Sequence, residues 1–200
     1  MLTDKLKSYK LILASGSPRR LELLKGMGID YTVELNGEVD ESYPDDMPVR
    51  EVPAFLARIK SHAFGRPLAE HELLITADTV VVCNNQLLGK PVDTNDAIRM
   101  LNILSGNSHE VHTGVCVRTH RREHVFTVKS TVHFRSLSSD EITYYIDACK
   151  PFDKAGAYGV QEWIGYIGIE HIEGSYFNVM GLPTQQLYVE LSDFLRDKQP

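Results

Sequence analysis

The sequence predicts an α/β protein built on a mixed sheet, and three observations predict it. Apolar, β-branched runs such as "YKLILAS" and "LLITADTVVVCNN" alternate along the chain with amphipathic segments of helical period. In the middle, "HEVHTGVCVRT" and "HVFTVKSTVHFRSL" follow one another with no helix between them, so part of the sheet is expected to be antiparallel. No Pro- or Ser-rich linker divides the 200 residues.

The elements follow in order. "YKLILAS" reads as a short buried strand and "SPRRLELLKGMG" as a helix. Ser17 is positioned to cap that helix, Pro18 suits its first position, and Gly26 or Gly28 can end it. "IDYTVEL" alternates as a strand and leads into the acidic loop "NGEVDESYPDDMP". "VREVPAFLARIKSHAFGRPL" carries a helical pattern through Phe55, Leu56, Ile59 and Phe64. "LLITADTVVVCNN" is a strand interrupted by one acid, and "NQLLGKP" returns the chain. "DTNDAIRMLNILSG" is an amphipathic helix with a Thr/Asn start and a Gly stop. After the β-rich block, "SSDEITYYIDACK" is a helix capped by Ser138 or Ser139. "GAYGVQEWIGYIGIEHIEGSY" reads as turn, strand and hairpin, and "TQQLYVELSDFLRD" as a closing helix.

Composition narrows the function classes. The chain is 42% hydrophobic and 24% charged, with a formal net charge of −6, which argues against a nucleic-acid backbone binder. The one dense basic cluster, "RTHRREH" (Arg118 to His124), sits in a hairpin-like setting and reads as a solvated turn. Cys83, Cys116 and Cys149 are an odd count without a C-x-x-C, and their flanks share nothing. Reduced thiols in a cytoplasmic setting are expected. "MLTDKLKSYK" lacks the apolar core of a signal peptide, and no run approaches a membrane span, so the expectation is a soluble, intracellular chain.

Several constellations could carry chemistry. In "ASGSPRR", Gly16 would allow a close turn, and the next helix start offers unpaired N–H groups and a positive dipole end. Arg19 and Arg20 add fork-shaped donors, so the corner suits an anion, above all phosphate. It is neither a G-x-x-x-x-G-K-[ST] loop nor a G-x-G-x-x-G loop. The plainer reading is a well-capped helix whose arginines face water. Asp78 interrupts a run that wants burial. It either coordinates Mg²⁺ or takes a proton from water with Thr79 beside it, or simply closes a turn before the strand. Lys60 on a helix face and Lys90 in "LLGKP" offer point charges for phosphate oxygens, although most lysines only solvate a surface. The acidic loop holds Glu38, Asp40 and Glu41, which could hold a divalent metal or merely be soluble. In "DKAGAYGVQEW" the small residues permit close backbone approach, and Gln161 could offer its amide to the edge of a base or simply be exposed. "HEVH" falls short of H-E-x-x-H, no residue set has zinc-ligand spacing, and there is no G-x-S-x-G elbow.

Taken together, these segments resemble the Maf family of nucleoside triphosphate pyrophosphatases. The matching pieces are "LASGSPRRLELL", "DES", "LARIKSHA", "ITADTVV", "LLGKPVD", "MLNILSGNSHEVHTGV", "FRSLSSDEI", "DKAGAYGVQ" and "IEGSYFNVMGLP", in that order over roughly residues 10 to 190. The resemblance implies a strongly twisted mixed sheet flanked by helices, inosine-triphosphatase-like, with the nucleotide cleft between two lobes. It implies a single domain over residues 1–200, with 1–9 and 195–200 peripheral.

By the same resemblance, a nucleoside triphosphate is cleaved between its α- and β-phosphates with a divalent cation, Mg²⁺ or Mn²⁺. "AGAYGVQ" looks like the dTTP/UTP subclass. Asp78 matches the proton acceptor, and Glu41, Lys60 and Lys90 match further catalytic positions, with Glu41 and Asp78 as candidate metal ligands. Ser15, Ser17, Arg19, Arg20, Thr79 and Gln161 fall to substrate binding, and Arg19, Thr79 and Gln161 match positions associated with base preference. The resemblance also implies a homodimer. Two departures stand out: Cys149 and Lys150 replace a Gly-Glu pair usual before "P-x-D-K-A-G", and Glu162 and Trp163 follow Gln161. The indole is expected in the core of the hairpin. Three other readings stay open: a non-catalytic nucleotide-binding regulator of cell division, a house-cleaning pyrophosphatase preferring non-canonical purine triphosphates, and, least favoured, nucleic-acid binding.

Overall fold

β1 (Lys10–Leu13) is short and apolar, and Leu11, Ile12 and Leu13 are all buried, as its sequence requires. In the computed structural model, which describes residues 1–35 and 37–196, it pairs in parallel with β2 (Thr32–Val33) and with the first part of β3 (Glu72–Cys83). The remaining strands are β4 (Gln86–Leu88), β5 (Ser108–Arg118), β6 (Glu123–Phe134) and β7 (Ile169–Glu173). They form a seven-stranded sheet of order β2-β1-β3-β5-β6-β7, with β4 paired to β3. β3–β4 and β6–β7 are antiparallel, so the sheet is mixed, as expected. The helices are α1 (Leu2–Leu6), α2 (Pro18–Gly26), α3 (Val52–His62), α4 (Thr94–Leu104), α5 (Ser139–Cys149), α6 (Trp163–Gly168), α7 (Tyr176–Met180) and α8 (Thr184–Phe194).

The chain divides into two compact units. The first comprises Met1–Asp78, Thr113–Val128 and Gly181–Pro200, and the second Thr79–His112 and Lys129–Met180. In the first, α1 packs on α8 and buries Leu2 and Leu6, although residues 1–9 carry no strong pattern. Of the other segment expected to be peripheral, 195–200, Leu195 is buried and residues 197–200 lie outside the described part. In the second unit, α4 packs on α5 and on the short 3-10 turn Ala155–Ala157.

Local chemistry explains most boundaries. α2 begins at Pro18 with Ser17 at its cap position, but the Ser17 hydroxyl makes no cap bond. Instead the Ser17 N–H donates to Ser15 Oγ at 3.2 Å. α4 is capped by Asp93, whose carboxylate accepts the Asp96 N–H at 2.8 Å, so Thr94 is already helical. Ser138 caps α5 in a reciprocal box with Glu141. β3 turns into β4 through Asn84 and Asn85, both in the left-handed region (φ 50° and 61°) that a two-residue hairpin demands.

Three expectations are corrected. The strand foreseen in "IDYTVEL" shrinks to Thr32–Val33, an exposed edge strand paired with β1. The segment after Gln161 forms α6 before β7, because Glu162 O accepts the N–H groups of Gly165 and Tyr166 and starts a helix there. Gly16 does not require glycine: an added Cβ would meet only Leu35 at an ordinary 3.8 Å.

Candidate active site

Asp78 lies within β3, not in a turn before it. β3 pairs with β1 over Glu72–Ile75 and with β4 over Val81–Cys83, so Asp78 falls just beyond the point where β1 ends. It is 8% exposed in a strand buried on both faces. Strand alternation puts Thr76 and Asp78 on one side, and α3 places Ala57 and Lys60 one turn apart on a single face. The two faces meet twice. Thr76 Oγ1 donates to Ala57 O at 2.6 Å, and Lys60 Nζ donates to Asp78 Oδ1 at 2.6 Å. A carboxylate in such a strand needs a partner, and Lys60 is that partner.

Lys60 also reaches Glu41 Oε1 at 3.1 Å, from the exposed acidic loop. The ammonium therefore sits between two carboxylates. Nearby, the Arg20 guanidinium enters from the first turn of α2. Its Nε donates to Gly181 O and its Nη1 to Ala77 O, both at 2.8 Å. Burial pulls the Arg20 guanidinium below its ordinary range, an effect opposed by Asp78 and Glu41 and reinforced by Arg19. One of its donors thus fastens the Ala77 carbonyl beside Asp78 and another the Gly181 carbonyl, a structural duty that the arginine corner did not reveal in the sequence. Arg19, half-buried, stands beside it on α2, and Ser15 is buried at the turn before. The first unit therefore gathers Ser15, Ser17, Arg19, Arg20, Glu41, Lys60 and Asp78.

Thr79, Lys90 and Gln161 belong to the second unit. Thr79 follows Asp78 directly and is partly buried; Lys90 is exposed after β4. The neighbouring Gly89 O accepts the Gly156 N–H at 3.0 Å, tying that loop to the "AGAYG" turn. Gly156 and Ala157 both take positive φ (69° and 58°), and a Cβ on Gly156 would press on Val81 at 3.0 Å. Gln161 is half-buried, and its Oε1 is sealed from water with no hydrogen-bond partner.

Sequence reasoning missed the polar cluster built on Glu162, the residue next to Gln161. Lys154, 8% exposed, pairs with Glu162 Oε1 at 3.0 Å and with Asp153 Oδ1 at 2.7 Å. Glu162 Oε2 accepts the Tyr145 hydroxyl, and the Gly159 N–H donates to the same phenol oxygen at 3.0 Å. Burial and the adjacent Glu162 push the Tyr145 hydroxyl far above its ordinary range. The only linear signal was the glycine at 159, where a Cβ would lie 2.7 Å from the Glu162 carboxyl carbon. Trp163, expected in a hairpin core, instead starts α6 and meets Tyr144 edge-on at 4.8 Å between ring centres. Lys150 adopts a left-handed conformation (φ 46°) after α5 and pairs with exposed Asp147 at 3.4 Å.

The basic 118–124 turn is more than solvated charge. Arg118 Nε donates to Ser61 Oγ at 2.9 Å, and Arg122 lies over the Phe194 ring at 4.3 Å. All three cysteines are free thiols. Among the described residues no helix is long and apolar enough to cross a membrane, and no three His, Cys, Asp or Glu side chains converge as a metal cage. The donors that do converge, Asp78 and Glu41, are hard oxygens. They fit the way Mg²⁺ is usually bound, by one or two carboxylates with substrate phosphates and waters completing the shell.

A family model described as Maf-like protein matches residues 10–194. A dTTP/UTP pyrophosphatase of Bacteroides fragilis (strain YCH46) is 55% identical over 93% of this chain and 96% of its own length. Relatives of the same name in Parabacteroides distasonis and Porphyromonas gingivalis (strain ATCC 33277) are 50% and 48% identical, each over 96% of this chain and covering 100% and 98% of their own lengths. Among solved structures, a HAM1 protein from Coxiella burnetii is a distant likeness, with a TM-score of 0.45 and 16% identity over 92% of this chain and 99% of that one.

Proposed function

The chain belongs to the Maf-like protein family, and on that premise we propose that it hydrolyses dTTP and UTP to the nucleoside monophosphate and pyrophosphate. The names carried by its relatives support the substrate pair. The observation that carries the chemistry is the Asp78–Lys60–Glu41 cluster beside two arginines. Phosphoanhydride cleavage needs positive charge around the oxygens of the leaving pyrophosphate and a base for the attacking water. The cluster offers both.

Arg19 and Lys60 bind phosphate oxygens, and Lys90 is a further candidate cation for them. Arg20 supports them while holding Ala77 O and Gly181 O. Asp78 takes the proton of the attacking water as the bridging P–O bond breaks and the pyrophosphate departs. Ser15, Ser17 and Thr79 orient the substrate. A divalent cation held by Asp78 and Glu41, Mg²⁺ or Mn²⁺, would neutralise phosphate charge when bound. Gln161 faces the base: its amide oxygen is an acceptor without a donor, and thymine and uracil carry an N3–H where cytosine has a lone pair. We place the enzyme in the cytoplasm, as a homodimer.

The deciding experiment is product identity. Purified protein is incubated with Mg²⁺ and dTTP, UTP, CTP, GTP or ITP, and phosphate is read with and without inorganic pyrophosphatase. Phosphate released only with the coupling enzyme, fastest from dTTP and UTP, supports the reading. Direct phosphate release means a γ-phosphatase, fastest release from ITP means a purine house-cleaning enzyme, and binding without turnover means a regulator. Chelation should abolish activity, and added Mg²⁺ or Mn²⁺ should restore it.

A further inference from the structure

We propose that Glu162 and Tyr145 are positioning residues that set the pyrimidine preference by fixing the turn that carries Gln161. The proposal rests on the reading of Gln161 as the base-contacting residue. Gly159 through Glu162 form a four-residue turn closed by the Glu162 N–H donating to Gly159 O at 3.0 Å, and Gln161 occupies its third position. Both ends of this turn meet one atom. The Gly159 N–H donates to Tyr145 Oη at 3.0 Å, while the Tyr145 hydroxyl donates to Glu162 Oε2.

Tyr145 is wholly buried on α5, so the phenol oxygen is a fixed post. Buried Lys154 holds the other oxygen of the same carboxylate at 3.0 Å, leaving the side chain little freedom. Gly159 is required in this arrangement, because a Cβ there would strike the Glu162 carboxyl at 2.7 Å. On the far side, Glu162 O accepts from Gly165 and Tyr166 and roots the turn in α6.

The consequence falls on Gln161. Its Oε1 is excluded from water without a partner, an arrangement that a free loop would relieve by rotating the amide outward. The clamp fixes the backbone on both sides, so the Cα–Cβ bond from which the Gln161 side chain departs keeps one position and direction. The amide oxygen is thereby held where an N–H donor of the base can satisfy it, and a base offering a lone pair there cannot. Glu162 touches no substrate in this scheme; it acts through Gln161.

The test is kcat/KM for dTTP and CTP in wild type, Gln161→Ala, Tyr145→Phe, Glu162→Ala and Glu162→Gln, with the two clamp variants repeated in a Gln161→Ala background. Tyr145→Phe and Glu162→Ala are each expected to lower the dTTP:CTP ratio about five- to ten-fold, chiefly through KM for dTTP. Glu162→Gln, which keeps an acceptor for Tyr145, should stay within about two-fold of wild type. In the Gln161→Ala background neither clamp variant should change the ratio further, because coupled residues are non-additive. A merely structural role would depress both substrates together and go on doing so without Gln161. That outcome overturns the proposal, as does an unchanged ratio in both clamp variants. Should Glu162→Ala fail to fold, Tyr145→Phe decides alone, since it leaves the Lys154–Glu162 pair in place. If Gln161→Ala itself leaves the ratio unaltered, the reading of Gln161 falls, and this proposal with it.

Discussion

The ammonium of Lys60 donates to Oδ1 of Asp78 at 2.6 Å while also reaching Glu41 at 3.1 Å. One cation therefore orients the proposed base and links it to the acidic loop. Asp78→Asn preserves an acceptor for Lys60 but removes the charge and the proton-accepting site. Turnover of dTTP should fall by about 10²- to 10⁴-fold, the usual worth of a positioned general base. The thermal midpoint should move by no more than a few degrees. Near-normal turnover would remove Asp78 from the mechanism.

Arg20 spends two donors on Gly181 O and Ala77 O. Lysine cannot reproduce that fork, so Arg20→Lys leaves at least one buried carbonyl poorly satisfied. Urea denaturation should show a loss of about 1–3 kcal/mol, accompanied by a lower kcat because the strand end bearing Asp78 loosens. A rise in KM with unchanged stability would instead mark Arg20 as a pure substrate ligand.

Acid stability should depend on His109. Its ring is buried against Phe134 and Tyr158, Nε2 shares a hydrogen bond with the Tyr158 hydroxyl at 2.8 Å, and Nδ1 has no partner. Burial, helped slightly by His133, pulls its pKa down to about 3. The folded protein keeps His109 neutral while the unfolded chain takes up a proton below its ordinary value near 6.5. The stabilisation is therefore complete above that value and declines as the pH falls toward 3. The urea midpoint should decrease between pH 7 and pH 5, and His109→Leu should flatten that slope. A slope unaltered by the substitution would assign the effect to other groups.

A second acid-sensitive group acts at lower pH. Glu72, buried at the start of β3, accepts from Arg66 at 2.6 and 2.8 Å and from the Ala69 N–H at 2.9 Å. These donors, Arg66 above all, hold its carboxyl down at about 2, so its contribution is present above pH 4.5 and lost as the pH falls toward that value. Glu72→Gln should cost on the order of 1–2 kcal/mol at neutral pH, since Arg66 is partly solvated and the pair is screened. The same variant should lose less stability than wild type between pH 4.5 and pH 2.5, as followed by circular dichroism.

Gly114→Ala is expected to be severe. A Cβ at that position of β5 would lie 2.2 Å from the Pro53 carbonyl carbon and 2.3 Å from the Ala54 nitrogen. Both are backbone atoms at the start of α3, so no rotamer change relieves the clash. A loss above about 3 kcal/mol, or insoluble expression, is the expected result. A midpoint within 2 °C of wild type would show that α3 can shift freely.

The strands and helices with strong periodicity were legible in the sequence, because burial there is carried by residue type alone. Asp78 was legible as an acid out of place, but not its partner: the Lys60 contact joins residues 18 apart through the crossing of α3 on β3. Boundaries decided by one side chain escaped, as at Asp93, where a carboxylate capped α4 one residue before the Thr-Asn pair. Likewise "QEWIG" looked like a strand because its aromatic and β-branched residues favour one. Glu162 O and Gly165 turned it into α6 instead, a backbone event with no hydrophobic signature.

β3, β5 and β6 each pass from one unit into the other, and α8 returns to the first. Its buried Leu187, Leu191 and Phe194 belong to a core begun by residues near the start of the chain. During synthesis, therefore, the unit that holds Asp78 and Lys60 cannot close its core until α8 has left the ribosome. Until then β1 and β2, already emerged, must wait for a helix translated some 150 residues later. At ribosomal speeds of about 5–20 residues per second, that wait is long enough for a holdase chaperone to bind. A nascent chain stalled before Thr184 should accordingly bind no nucleotide.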